Sequence, residues 1–364
     1  MPNCLNESKT MTKMTNKKNT LTDFMSLSAK AQFAFDRGED KKTTKYLRKA
    51  MALGSKHGYF NFQMWRPDVM VPLCMKAMAE GIEVDYVREL IRKRNIFPEN
   101  PPMDINNWPW PLKIYTLGRL SLFKDGKLIQ FSRKVPQKPI ALLKALIALG
   151  AKDASRVASG AVSESKIRDV LWPDAEGDAS YNTLTTNLNR LRQVIGIEKA
   201  ILFQKGRIEL NPRYCWVDIW SFERLLDQAY STKRDGDKKK HVQLLEKAVE
   251  MYHGDFLDGE EEEFWTISPS ERLRNKFIRC LSKLGSYREE NRQFEKAIDY
   301  YNKGIEVYDL AEELYQRLII CYYRIGCNAD VVGVYKRLEK VLSAASGITP
   351  SQKTKQIFKR LLYK

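Results

Sequence analysis

The sequence predicts a mixed, mainly α-helical fold, with one small α+β module set between two helical regions. Three observations predict it. Apolar residues recur at helical spacing through most of the chain. Over 111–131 and 201–210 the period drops to two, each time around a turn sequence. Beyond residue 217 the chain repeats itself at a shift of 34 residues.

Residues 1–24 are polar and lysine-bearing and read as a flexible segment. From 25 to 100 the chain reads as a helical, repeat-like region. Ala29, Phe33 and Ala34, then Tyr46, Leu47 and Ala50, flank Arg37-Gly38-Glu39-Asp40, which predicts an αα-hairpin. Val71, Met75 and Met78 predict a further helix, and after Gly81 Val84, Val87, Leu90 and Ile91 predict another. Pro98-Glu99-Asn100-Pro101-Pro102 closes the region, because a residue before proline is pushed out of helical conformation.

Residues 105–216 form the α+β module. Leu112, Ile114, Leu120 and Leu122 alternate with polar residues, and Lys124-Asp125-Gly126-Lys127 predicts a hairpin turn before Leu128, Ile129 and Phe131. Helical spacing resumes at Pro139 with Leu142, Leu143, Leu146 and Ile147. Residues 150–162 are small and polar and read as a loop. A short helix over Glu164–Leu171 follows, then a turn at Trp172–Gly177 and a longer helix from about Asp178 to Ile195. Asp178 suits an N-cap, and Gly196 lies just past the end. Ile201, Leu202 and Phe203, the turn Lys205-Gly206, and Ile208 and Leu210 predict a second hairpin.

Residues 217–364 read as helical to the end. Leu284 and Leu318, Tyr301 and Tyr335, and Val307 and Val341 stand 34 apart. Leu284, Gly285, Ala297, Tyr301 and Gly304 have the spacing of a tetratricopeptide hairpin, whose small residues sit where helices cross closely. Asp309 stands where proline is usual, and Ile319 where the second unit would have glycine.

Charge narrows the partner. Lys and Arg number 62 against 45 Asp and Glu, a formal +17, which favours nucleic acid first and an anionic membrane face second. About half of that surplus lies between Pro111 and Trp216, where 18 basic side chains meet 9 acidic ones. The longest apolar run, Ile140–Ala151, carries Lys144 and is too short for a bilayer, which takes about 20 residues. The N-terminus has no apolar core of a signal peptide. Six scattered cysteines and three histidines make neither a disulfide framework nor a zinc site, and a reducing cytoplasm fits.

The helix 178–195 divides cleanly on a wheel. Tyr181, Leu184, Leu188, Leu191 and Ile195 share one face, able to bury against Leu142, Leu146 and Leu171. The other face carries Asn182, Thr183, Thr186, Asn189, Arg190 and Gln193, and no acid. Such a face suits the major groove, where Arg pairs with guanine and Asn or Gln with adenine. An ordinary solvated helix surface also avoids apolar groups, but usually includes Glu or Asp. Arg192 lies nearer the buried edge and suits a phosphate. Lys205, Gly206 and Arg207 at the second hairpin's tip fit a wing laid on the nucleic-acid backbone; a plain turn using Gly for its backbone angle and Lys for solubility reads equally well.

The stretches LKIYTLGRLSLFKDGKLIQF, KPIALLKALIAL, IRDVLWPDAEGDASYNTLTTNLNRLRQVIG and CWVDIWSFERLL resemble the winged helix-turn-helix of OmpR-type regulators. The version most similar is that of bacterial SARP-type activators, whose tetratricopeptide-like bacterial transcriptional activator domain is resembled in turn by YHGDFLDG (252–259), the helix pair near 281–307 and GITPSQKTKQIFKRLL (347–362). Residues 65–110, ending in NNWPWP, resemble the join seen where such a module ends a larger regulator.

The resemblance implies that the helix 178–195 enters the major groove, with Thr186 and Arg190 at bases and Arg192 at a phosphate, and that 203–208 is the wing. Asn189 departs from the family, where a second Arg is common, which implies fewer phosphate contacts and another base preference. The loop matching the family's RNA polymerase contact holds Trp172, Asp174 and Glu176; a packed turn explains Trp172 and Pro173 as well. The resemblance further implies head-to-tail pairs on direct repeats, and a repeat region that serves a homodimer or another protein partner.

Other chemistry finds no support. No G-x-x-x-x-G-K-[ST] is present, so the ATPase of some larger relatives is missing from this chain, and no receiver domain precedes the module. Glu260–Glu263 reads as a solvated acidic run and not a metal site. His241 and His253 have no Ser or Cys at a catalytic spacing. Trp216, Trp220 and Phe222 suit packing between module and first repeat helix better than base stacking. The expectation is a cytoplasmic, non-enzymatic bacterial transcription regulator, an activator by resemblance, that binds duplex DNA without cofactor or metal. The competing reading is a repeat scaffold whose winged helix contacts protein or RNA.

Overall fold

The computed structural model describes residues 3–62, 66–98, 101–102, 105, 107–130, 137–150, 160–175, 177–234, 236–260 and 263–362. The chain divides into two compact units, one of residues 1–111 with 212–214, the other of 112–211 with 215–364.

Among the described residues the first unit holds four helices: α1 (Asn3–Asp36), α2 (Asp40–His57), α3 (Pro67–Ala79) and α4 (Val84–Lys93). The segment expected to be flexible, 1–24, is helical from Asn3 onward. No glycine or proline interrupts Asn3–Asp36, so nothing breaks the helix before Gly38. The αα-hairpin forms at the expected turn, but α1 buries Phe24, Ser28, Ala31 and Ala34, leaving Ala29 exposed and Phe33 59% exposed. Ser28 belongs to the core face because its hydroxyl donates to Phe24 O at 2.8 Å, which a count of apolar residues overlooks. On α3 the buried set is Met70, Leu73, Cys74, Ala77 and Met78, about one residue round from the expected face. That helix is apolar on nearly every side, so periodicity alone does not fix its orientation. On α4, Tyr86 joins Val87, Leu90 and Ile91, its hydroxyl donating to Tyr59 O at 2.7 Å.

The second unit opens with a four-stranded sheet. β1 (Leu112–Tyr115), β2 (Ser121–Lys124) and β3 (Lys127–Leu128) form an antiparallel meander, and β7 (Cys215–Val217) pairs parallel to β1, giving the order β3-β2-β1-β7. The sequence alternation missed β7 because all three of its side chains are buried. Leu128, expected inside, is 52% exposed on the edge strand. Next come α5 (Gln137–Gly150), α6 (Glu164–Leu171) and α7 (Gly177–Ile195), with a second sheet of β4 (Val162–Ser163), β5 (Ile201–Gln204) and β6 (Arg207–Leu210) in the order β4-β6-β5. Sheet, three helices and hairpin compose a winged helix-turn-helix.

The rest of the unit is helical: α8 (Asp218–Arg234), α9 (Lys238–Met251), α10 (Phe264–Glu290), α11 (Phe294–Val307), α12 (Glu312–Arg324), α13 (Asn328–Ser346) and α14 (Gln352–Leu362). At the α10/α11 crossing a Cβ on Gly285 would lie 2.4 Å from the Tyr301 ring, so only glycine lets that buried ring pass. Ile319 is buried at the corresponding place in the next pair, and Tyr335 stacks instead on Phe358 of α14, centroids 4.0 Å apart. The 34-residue repeat is thus kept in backbone while its packing is reassigned.

Two ties hold the winged helix to the repeats. Residues 116–118 run between α8 and the turn after α9: Gly118 N donates to Asp255 O at 2.9 Å, and Leu257 N to Thr116 O at 2.8 Å. Lys144 of α5 pairs with Glu260 at 2.5 Å, so the start of the acidic run is an interdomain anchor and not merely solvated. Among the described residues no group of His, Cys, Asp and Glu is arranged to hold a metal, and no helix is long and apolar enough to cross a membrane.

Candidate nucleic-acid interface

The helix α7 is seated by Leu184, Leu188, Leu191 and Ile195, each at most 2% exposed. Burying four such side chains contributes about 1.5–3 kcal/mol apiece, enough to fix the helix's rotation. Tyr181, expected in this stripe, is 41% exposed, and Asn187 occupies the buried edge instead. Asn187 donates through Nδ2 to Thr183 O at 2.8 Å, while no hydrogen bond among the described residues reaches its buried Oδ1. Arg168 of α6 donates to Ser180 Oγ at 3.0 Å, pinning the start of α7 to the preceding helix.

With that face inward, Asn182, Thr186, Asn189, Arg190 and Gln193 are all exposed, and the helix carries no acid after Asp178. Thr183 differs from the rest of the expected set. It is half-buried, and its hydroxyl donates to Ala179 O at 2.8 Å. Arg192, assigned to a phosphate by resemblance, donates through Nη2 to Ile201 O at 3.1 Å and bridges α7 to β5.

The wing is β5–β6. Its two-residue turn has both central residues left-handed, Lys205 at φ 50° and Gly206 at φ 69°, the geometry that matches hairpin twist. Gly206 O accepts from Glu164 N at 2.9 Å, which ties the tip to the start of α6. Arg207 is exposed, with Nη2 donating to Ala161 O beside β4. Lys205 is exposed at the tip, and no hydrogen bond or ion pair among the described residues engages it or Arg190.

Trp172 closes α6, its N–H bonded to Arg168 O, and is half-buried; Asp174 is exposed beyond it. Glu176 lies outside the described residues. Trp216 packs edge-on against Tyr115, and Phe222 is fully buried against Tyr252, so neither is a base-stacking platform. His241 bonds Ala229 O through its ring.

Two residues escaped the sequence reading. Lys166 is exposed in the first turn of α6, the helix that in helix-turn-helix proteins crosses the backbone; its place before α7 was the available signal. Asp218 is buried at the head of α8 and accepts from Thr116 N, Thr116 Oγ1, Leu117 N and Ile219 N at 2.6–2.8 Å. Burial pushes its pKa up, against the pull of those donors. A lone acid in an apolar run gave no hint of this lock between β1 and α8.

Residues 217–362 match the bacterial transcriptional activator domain. The chain is similar to the regulatory protein AfsR of Streptomyces griseus, 20% identical over 69% of this chain and 24% of that protein. It is 26% identical to the transcriptional regulator RedD of Streptomyces coelicolor, over 57% of this chain and 60% of that one. Among solved structures, Mycobacterium tuberculosis EmbR in complex with a low affinity phosphopeptide aligns with a TM-score of 0.55 at 17% identity, over 70% of this chain and 65% of that chain, a likeness of fold. The chain thus spans about a quarter of AfsR and three fifths of RedD.

Proposed function

We propose, from a chain that is SARP-like in joining a winged helix to a bacterial transcriptional activator domain, that it is a non-enzymatic transcription regulator acting on duplex DNA. In this reading residues 105–216 bind DNA. The helix α7 lies in the major groove with Asn182, Thr186, Asn189, Arg190 and Gln193 toward base edges, Thr183 at their margin, and Lys205 and Arg207 on phosphates. Arg192 reaches a phosphate with the donors left over from Ile201. Trp172 and Asp174 face RNA polymerase, and 217–364 carries the contact with a second copy or a regulatory protein.

One observation carries the reading: an acid-free, exposed polar face on a helix whose rotation four buried leucine-type side chains hold. The chemistry fits a groove, because amides and guanidinium make paired hydrogen bonds that distinguish base pairs. A repeat scaffold that contacts protein or RNA is the other outcome of the same test.

The test is selection of bound duplexes from a random pool, followed by mobility shift across salt. Arg190→Ala should relax preference at one position, costing roughly 1–3 kcal/mol there. Lys205→Ala should weaken all duplexes alike and flatten the slope of log affinity against log salt by about one. Equal affinity for every duplex, or site selection unmoved by Arg190→Ala, would overturn the reading.

A further inference from the structure

The winged helix accounts for about half the chain's positive surplus, and a second concentration lies in the first unit. The helix α2 carries six Lys or Arg and one acid. Lys41, Lys45, Arg48, Lys49 and Lys56 are exposed, and no ion pair or hydrogen bond among the described residues engages them. The nearby carboxylates are taken: Asp40 pairs with Lys76 at 3.3 Å and Glu39 with Lys42 at 2.9 Å. Lys41, Lys45, Arg48 and Lys56 stand at i, i+4, i+7 and i+15, a single stripe about 22 Å long at 1.5 Å per residue. Like charges at i, i+4 cost stability, so an uncompensated row of them stands without intrahelical benefit.

We propose that α2 is a second, sequence-independent contact for the phosphate backbone of duplex DNA, resting on the reading of the winged helix as a DNA binder. The length of the stripe faces roughly six base pairs of a polymer with one charge per about 1.7 Å of axis. Three of its four side chains are ammonium point charges and none is an amide, which suits phosphate better than the ordered donors and acceptors of base edges. An anionic membrane fits less well, because the apolar side of α2 (Leu47, Ala50, Met51) is already buried and leaves nothing to insert. Single-stranded RNA fits less well too, because the stripe on α2 is not interleaved with exposed aromatics: Tyr46 and His57 of that helix are half-buried.

The experiment uses the full chain carrying Lys41→Gln, Lys45→Gln, Arg48→Gln and Lys56→Gln together, with a charge-preserving partner (Lys41→Arg, Lys45→Arg, Arg48→Lys, Lys56→Arg). These side chains are exposed, and circular dichroism checks that both variants keep the parent's helicity. On a duplex extending at least one turn beyond the selected site at both ends, the Gln variant should lose about three to four units of salt slope. It should keep its ranking of sites, and the charge-preserving variant should match the parent. A parent-like slope in the Gln variant overturns the proposal. So does a loss confined to single-stranded RNA, or to vesicles of anionic phospholipid. If the slope falls while Arg190→Ala leaves site choice unmoved, α2 stands as a DNA contact and the recognition-face reading fails; the reverse pattern sinks α2 alone.

Discussion

The helices α7 and α2 are near equals in length, 19 and 18 residues, and each buries one stripe and exposes the other. They differ in what they expose. The outer face of α7 is amide and hydroxyl with a single guanidinium, whereas that of α2 is ammonium and guanidinium with no amide. Hydrogen-bond donors and acceptors in fixed order can tell one base pair from another, but bare charge only measures how close a phosphate is. The same amphipathic frame therefore supports either recognition or adhesion, and a handful of outer residues decides which.

The two are also seated differently, which gives the largest expected effects. Leu188 is 2% exposed in the stripe beneath α7. Leu188→Ala should cost about 2–5 kcal/mol through the cavity it leaves, read as a lower denaturant midpoint, with DNA affinity falling in step. A stability change under about 1 kcal/mol would mean that the leucine stripe does not fix the rotation of α7.

On α2 the seat is a close approach and not a cavity-filler. A Cβ on Gly54 would lie 2.2 Å from the Tyr86 hydroxyl, which is itself bonded to Tyr59 O. Gly54→Ala should therefore destabilise by roughly 1–3 kcal/mol from crowding, less the helix preference of Ala, which is worth about 1 kcal/mol. Thermal unfolding checks it. A rise in melting temperature would mean that the Tyr86 ring yields at little cost, and that this unit is packed more loosely than the other.

The contrast also explains what was legible in the sequence. The α7 stripe is leucine at helical spacing, so its inner and outer faces could be read from the wheel; Tyr181 turned out exposed, Thr183 half-buried, and Asn187, assigned to neither face, buried. The hairpin turns were legible because Asp125-Gly126 and Lys205-Gly206 name their own geometry. The first unit was harder to read. Ser28 hides as a polar residue in the core of α1, α3 is apolar nearly all round, and Gly54 is silent until Tyr86 is placed against it. The strand β7 lacks alternation because both its faces are covered. The Asp218 lock was beyond reach, since its partners Thr116 and Leu117 lie a hundred residues away.

The finest distinction lies within α7, between two threonines that the wheel treats alike. Thr186 is exposed in line with Asn182, Asn189, Arg190 and Gln193. Thr183 is half-buried at the margin, and its hydroxyl proton is committed to Ala179 O. A hydroxyl already donating to its own helix keeps only acceptor capacity for a base, so it contributes less to discrimination. Thr186→Ala should thus shift preference at one position by about 0.5–1.5 kcal/mol, the net worth of one hydrogen bond. Thr183→Ala should stay within about 0.5 kcal/mol at every position. Affinities over a panel of single-base site variants separate the two. Should Thr183 prove the stronger of the pair, the helix would lie in the groove on its half-buried margin, and the face centred near Gln193 would have to be turned by about 80°, toward Arg190 and Thr183.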